Sequence, residues 1–163
     1  MKPLLILNCC ARKNDEPSQA ISLYKGALFS MLPSDILERF ELAILSAEYG
    51  LINSNAVLSP YEQRLPKRFS QDWDRFIQKQ RPKAEELLNS INLENRHIFV
   101  ICVNDYLAVF DQWSKEPSFK ALLDKAQYVY ASRGHRGIGV LKSRLKTIIK
   151  AESPKAALAS LNS

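Results

Sequence analysis

No apolar run in this chain of 163 residues approaches the roughly 20 residues that a helix needs to cross a bilayer. A membrane-spanning protein is therefore not expected. The opening MKPLLILNCC turns polar after a few residues and reads as a first β-strand rather than a signal peptide. Cysteine is scarce: Cys9 and Cys10 are adjacent and Cys102 lies in another apolar run, which does not make a disulfide framework. A reduced, cytoplasmic setting is the matching expectation. Neither GxxxxGK[ST] nor GxGxxG occurs, so the phosphate-binding P-loop and the dinucleotide fingerprint are both missing. Cys9–Cys10 is not a CxxC, and the histidines, His97 and His135, are not spaced as HExxH, so no metal site is expected. There is no internal repeat.

What is present suffices for a substantial core. Hydrophobic residues make up 46% of the chain, which argues against global disorder. Lys+Arg number 23 against 17 Asp+Glu, a formal charge of +6. The excess collects late. From Arg133 to Lys150 stand Arg133, Arg136, Lys142, Arg144, Lys146 and Lys150, with no acid among them. This is the most nucleic-acid-like part of the chain, and its alternative is a solubilising helix face.

Four short apolar runs, 4–9, 42–47, 98–103 and 127–132, have strand length, and several are continuous rather than alternating. Continuous runs suit strands buried on both faces of a parallel sheet. Helical patterns separate them. Tyr24 to Phe40 is predicted helical, interrupted near Pro33, with Ser34 capping the second piece. From Ser70 onward Trp73, Phe76, Ile77, Ala84, Leu87 and Leu88 share a helical face that Pro82 is expected to kink or divide. Tyr106, Val109, Phe110 and Trp113 form another face, then Phe119, Leu122 and Leu123 after Pro117. Ile138, Leu141, Leu145 and Ile148 line a last helix, with Lys142, Lys146 and Lys150 on a different side. The expectation is an α/β fold, a three-layer domain with a mostly parallel sheet, Rossmann-like or flavodoxin-like in general architecture. It spans residues 1–150, with 151–163 as a tail or short helix, and extra short strands fit the long loops.

Ligands of open α/β sheets sit beyond the carboxyl ends of the strands. That rule gathers NCCARK, SAEYGL, VNDY and ASRGHRGIG. In the first, Asn8, Arg12 and Lys13 are candidates to hold a phosphate or carboxylate, and Cys9 is a candidate nucleophile should nearby positive charge lower its pKa. In the second, Ser46 leaves the strand, Glu48 is a candidate base, Tyr49 a packing or base-contacting ring, and Gly50 relieves a tight turn. Beyond it, Tyr61, Glu62 and Arg64 are placed to cover the same opening: tyrosine stacks on planar rings, and a carboxylate handles a proton or a ribose hydroxyl. Asn104 and Asp105 either position a ligand or cap the following helix. In the last, Gly134, Gly137 and Gly139 at a helix N-terminus suit an anion, Arg133 and Arg136 add directed charge, and His135 is a candidate acid or base. Lys142, Arg144, Lys146 and Lys150 are the candidate nucleic-acid contacts.

Taken together, NCCARK, Leu23 to Phe29, Ile44 to Leu51 and Pro60 to Leu65 resemble a largely uncharacterised bacterial and phage α/β family with SCxK-like, LYxGxLF, ILSAxYGLL and PYDxxL motifs, and the RGIG segment is also similar to it. Cys9 stands where serine is common there, Ile52 where the family often has a second leucine or similar residue, and Glu62 replaces aspartate. The resemblance implies an enzyme-like α/β domain and no particular reaction.

The leading expectation is a small nucleotide- or nucleic-acid-processing enzyme acting at an N-glycosidic bond. Glu48 or Glu62 would stabilise ribosyl charge or activate water, a tyrosine would contact the base, and arginine with the last helix would hold phosphate. Such a site needs no organic cofactor. The alternatives are a non-enzymatic nucleic-acid-binding or regulatory domain, a metal-dependent phosphate-ester hydrolase, and a protein-interaction module. The partner in the first two is a nucleotide or nucleic acid; the oligomeric state is open.

Overall fold

The structure, a computed structural model, describes residues 1–133 and 137–163. Its centre is a strand with no exposed side: β1 (Leu4–Asn8), whose five residues are all buried. β3 (Glu41–Ser46) pairs parallel to it with Leu5 opposite Leu42 and Leu7 opposite Ile44. β6 (Ile98–Val103) pairs parallel on the other side, with Leu5 opposite Phe99. β7 (Tyr128–Ser132) continues the parallel set beyond β6, and β4 (Gly50–Asn53) turns back antiparallel on β3. The five-stranded order is β4-β3-β1-β6-β7.

The continuous apolar runs follow from this arrangement, because helices cover both faces. Leu5, Leu7, Leu42, Ile44, Phe99 and Ile101 point to one layer; Leu4, Ile6, Ala43, Leu45, Val100 and Cys102 point to the other. The first layer holds α1 (Ala20–Leu23), α2 (Ala27–Ser30), α3 (Ile36–Arg39), α7 (Ile138–Lys150) and α8 (Pro154–Leu161); the second holds α4 (Gln71–Ser90), α5 (Asn104–Trp113) and α6 (Pro117–Lys125). The expected three-layer α/β fold with a largely parallel sheet is the observed one. Two short strands, β2 (Ser18–Gln19) and β5 (Val57–Leu58), pair antiparallel in the loops. α8 docks on the same core through Ala157 and Leu161, its N-terminus capped by the Ser153 hydroxyl.

Three local expectations change. The helix expected over Tyr24–Phe40 is instead two single turns, α2 and α3, with α1 just before them. Tyr24 is extended and bridges Lys13. Gly26 lies so close to the first strand-end loop that a Cβ there would sit 2.7 Å from the Cys10 Cβ and Sγ. The N-cap of α3 is Asp35, not Ser34, and it makes no side-chain capping bond. Pro82 does not divide α4. The helix runs from the Ser70 cap to Ser90, because Trp73, Phe76 and Ile77 before the proline and Ala84 and Leu88 after it are buried in one core. That burial outweighs the single ladder bond proline removes.

SAEYG is the turn of a β-hairpin. Ser46 faces Gly50 across it, and Gly50 has φ +75°. A Cβ at Gly50 would lie 2.8 Å from Gln80 Cβ on α4, so both conformation and space exclude a larger residue. Gly50→Ala should therefore cost roughly 1–3 kcal/mol in urea unfolding. Gly139→Ala is the contrasting case: it lies in α7 with nothing within 4 Å of its added Cβ, and should gain about 0.5–1 kcal/mol from helix propensity.

Candidate functional site

The connection leaving β1 runs by α1, α2 and α3 over one face of the sheet to β3, whereas the connection leaving β6 runs by α5 and α6 over the other face to β7. The chain thus diverges between the carboxyl ends of β1 and β6, where open α/β sheets form their ligand crevice. Here the crevice is a cleft of about 780 Å³. Asn8, Cys9 and Val103 come from the strand ends; Leu28 and Phe29 of α2 and Ile138 and Leu141 of α7 supply apolar walls; Asp105 and Tyr106 come from α5. Glu62, Gln63, Arg64 and Leu65 belong to an irregular segment that crosses over it.

Asn8 holds the floor. Its amide donates to the Cys9 carbonyl at 2.7 Å, and its oxygen accepts from the Val103 N–H at 2.9 Å. Both ends of this buried side chain are thereby spent on the backbone, so Asn8 is a structural clamp. Cys9 Sγ lies 3.1 Å from Tyr106 Oη and accepts from the Ala47 N–H at 3.4 Å. Cys10 is tied differently: Gly26 N–H donates to its sulfur at 3.2 Å and its thiol reaches the Arg12 carbonyl at 3.2 Å. Burial pushes the Cys10 thiol above its usual pKa, although the Gly26 N–H opposes this. It therefore stays a protonated thiol at neutral pH and is not a primed nucleophile.

The crossing segment is pinned by Tyr61. Its hydroxyl lies 2.8 Å from both Ser46 Oγ and Tyr24 Oη. Ser46 also accepts from the Glu48 and Tyr49 N–H groups at 3.2 and 3.1 Å, so the hairpin turn and the cleft cover share one hydroxyl. The Tyr49 ring meets Tyr61 edge-on at 5.4 Å, and Tyr49 Oη donates to the Ser59 carbonyl at 3.1 Å. Lys13 Nζ stands 4.2 Å from the Tyr61 ring centroid, a cation–π contact on the cleft side. The cover is a packed arm.

The sequence candidates separate accordingly. Asn8, Cys9, Lys13, Tyr61, Glu62, Arg64 and Asp105 line the cleft. Ser46 and Tyr49 stand behind it as supports, and Gly50 closes the hairpin. Glu48 is exposed at the hairpin tip, its carbonyl accepting from Gln80, and does not line the cleft. Arg12 and Arg133 are exposed and also outside the lining. Asn104 contributes its carbonyl to Arg68, while Asp105 pairs with Arg68 at 3.5 Å instead of capping α5. Gly137 is the N-cap of α7, packed against Ser132. Lys142, Lys146 and Lys150 are exposed, whereas Arg144 lies over Tyr130 and donates to the Leu161 carbonyl at 3.3 Å. His135, Arg136 and Gly134 lie outside the described residues.

Sequence reasoning missed Tyr106 and Tyr24 as site residues, because each reads as one more apolar position of a helix. Tyr106 ends VNDY, which the strand-end rule gathered, yet it was assigned only to the apolar face of the next helix. Tyr24 is the tyrosine of the LYxGxLF-like segment, a signal of family resemblance that did not tie it to the cleft.

What remains is a half-apolar slot with a thiol and a phenol at its floor, cations at Lys13 and Arg64, and carboxylates at Glu62 and Asp105. It can enclose a flat heterocycle and leave a charged tail at the rim. Among the described residues no group of three or more His, Cys, Asp or Glu is placed to hold a metal ion, and no helix is long and apolar enough to cross a membrane.

A protein-family model described as a family of unknown function, DUF6884, matches residues 4–128. The chain belongs to that family. The matched span includes all of the cleft lining except Ile138 and Leu141. No curated protein matches the chain, and no solved structure does.

Burial is the main cause that raises the Tyr24, Tyr61 and Tyr106 phenols, with Cys9 adding to the effect on all three; Tyr24 moves from 10.0 to about 12. A raised acid pKa favours the folded state while the phenol is neutral in it. For Tyr24 this stability is complete below pH 10.0 and is lost as pH rises toward about 12. The urea midpoint should fall across that window, and Tyr61→Phe should fall less steeply. At neutral pH Tyr61→Phe should cost about 1–2 kcal/mol through its missing hydrogen bonds.

Proposed function

We propose that this member of DUF6884 is a nucleotide- or nucleic-acid-processing enzyme that takes a nucleotide unit into the β1–β6 cleft and acts at its N-glycosidic bond. The observation that carries this reading is the composition of the cleft: apolar side chains beside a thiol and a phenol, with opposite charges at the rim. The base lies against Ile138 and Leu65, its polar edge toward Tyr106 Oη and Cys9 Sγ. Lys13 and Arg64 take the phosphate.

Glu62 is the carboxylate assigned to the chemistry, since Glu48 stands outside the cleft. It draws the proton from a water whose oxygen attacks C1′. The C1′–N bond breaks with its electron pair going to the base, and the Tyr106 hydroxyl hydrogen-bonds the departing base as it takes up a proton from solvent. The motif resemblance to a bacterial and phage family supports an enzyme-like cleft, and three free cysteines suit a reducing cytoplasm. A non-enzymatic nucleic-acid-binding role is the second reading, favoured by the exposed lysines of α7.

Nucleosides, nucleotides, single- and double-stranded DNA and RNA, each incubated with the protein and examined by mass spectrometry, should include a substrate that releases free base. Glu62→Gln should slow that release by at least about 100-fold, the usual range for losing a general base, while Glu48→Gln should leave it near wild type. No base release from any member of the panel would overturn the glycosidic reaction; turnover only with added divalent metal and release of phosphate would point to a phosphate-ester hydrolase.

A further inference from the structure

The basic side of α7 begins about one turn beyond the cleft wall. Ile138 lines the cleft. Four residues on is Lys142, then Lys146, then Lys150; each step of four advances one turn and rotates about 40°, so the lysines wind about 120° round the helix from Ile138. All three lysines are exposed, and among the described residues none makes a hydrogen bond or ion pair. The fourth base of this helix is engaged elsewhere: Arg144 lies over Tyr130 and reaches the Leu161 carbonyl, holding α8. α7 thus divides its basic residues between one structural arginine and a row of three solvent-facing ammonium groups that begins beside the cleft. The row advances about 6 Å per step and about 18 Å from Ile138 to Lys150. α7 carries no acidic residue to interrupt it.

We infer that the substrate is a nucleotide within a nucleic-acid strand, not a free nucleotide, and that the strand leaves the cleft along Lys142, Lys146 and Lys150. The inference rests on the proposed occupancy of the cleft by a nucleotide unit and adds the polymer to it. Free nucleotides carry their phosphates, one to three, clustered at one end, which Lys13 and Arg64 at the rim already serve. A row of spaced, unpaired cations fits a ligand with spaced negative charges. The lysines supply sequence-independent affinity and the cleft receives the unit acted upon.

The experiment is fluorescence anisotropy of labelled single-stranded oligonucleotides, DNA in one arm and RNA in another, beside a labelled mononucleotide, across a salt series. The oligonucleotide should bind more tightly than the mononucleotide by at least about tenfold at low salt, with the difference shrinking steeply as salt rises. In the Lys142→Gln/Lys146→Gln/Lys150→Gln protein the ratio of the two affinities should collapse. The magnitude of the salt slope should fall by about 2, near 0.7 for each single-strand phosphate that no longer meets a lysine. A charge-matched control, Lys79→Gln/Lys83→Gln/Lys120→Gln, removes three exposed lysines from the helices of the opposite layer and should keep the wild-type ratio.

Equal losses in both triple variants mean diffuse attraction and overturn the inference. So does an oligonucleotide that binds no better than the mononucleotide, although the cleft reading then stands. Binding to phosphatidylserine-containing vesicles in place of oligonucleotides overturns it in favour of a lipid surface. Oligonucleotide affinity that depends on the three lysines but is insensitive to Tyr106→Ala, with no mononucleotide binding, keeps the strand on α7 and removes the nucleotide from the cleft.

Discussion

Asn8 does at the strand switch point what a ladder of backbone bonds does inside the sheet. Between the ends of β1 and β6 the chain parts to opposite faces, and no further strand pairing is available. One side-chain amide spans that gap, accepting from the Val103 N–H and donating to the Cys9 carbonyl. With 8% of its surface exposed, it satisfies backbone groups that would otherwise be costly to bury. The positions of Cys9, Val103 and Tyr106 all descend from that clamp, and so does the floor of the cleft.

A second constraint sets the roof. The Tyr61 hydroxyl shares Ser46 with the hairpin turn and also meets Tyr24. Three stretches far apart in sequence are joined through hydroxyl groups whose environment keeps them neutral. Lys13 on the Tyr61 ring adds the first loop to the same knot. The long polar segment after the hairpin is thus a wall of the site, and within residues 60–66 only Glu62, Gln63 and Arg64 are exposed.

The cleft and the basic row of α7 are opposite in character. The cleft is half-open and supported from behind by buried hydrogen bonds; the row is exposed and held only by the helix that carries it. Lys142 follows Ile138 by about one turn of α7, so the row begins beside the cleft. Arg144 shows why a count of basic residues misleads, since a guanidinium that closes a helix pair is not free for a phosphate.

The four parallel strands were legible because burial on both faces leaves continuous apolar runs, and α4, α5, α6 and α7 because their buried faces repeat at helical spacing. The place of the cleft was legible in part, since the ends of β1 and β6 were among the strand ends collected before the strand order was known. The sequence by itself determined layers, periodicities and part of the address of the cleft, all of which are local consequences of which residues avoid water. Only the tertiary structure decided that Glu48 faces solvent at a hairpin tip while Glu62 lines the cleft, that Tyr24 leaves its helical pattern to meet Tyr61, and that Tyr106 reaches Cys9. Those outcomes depend on register, on turn geometry at Gly50 and on contacts between segments as far as 97 residues apart. Side-chain direction across such distances is set by packing between elements, which no short stretch of sequence encodes.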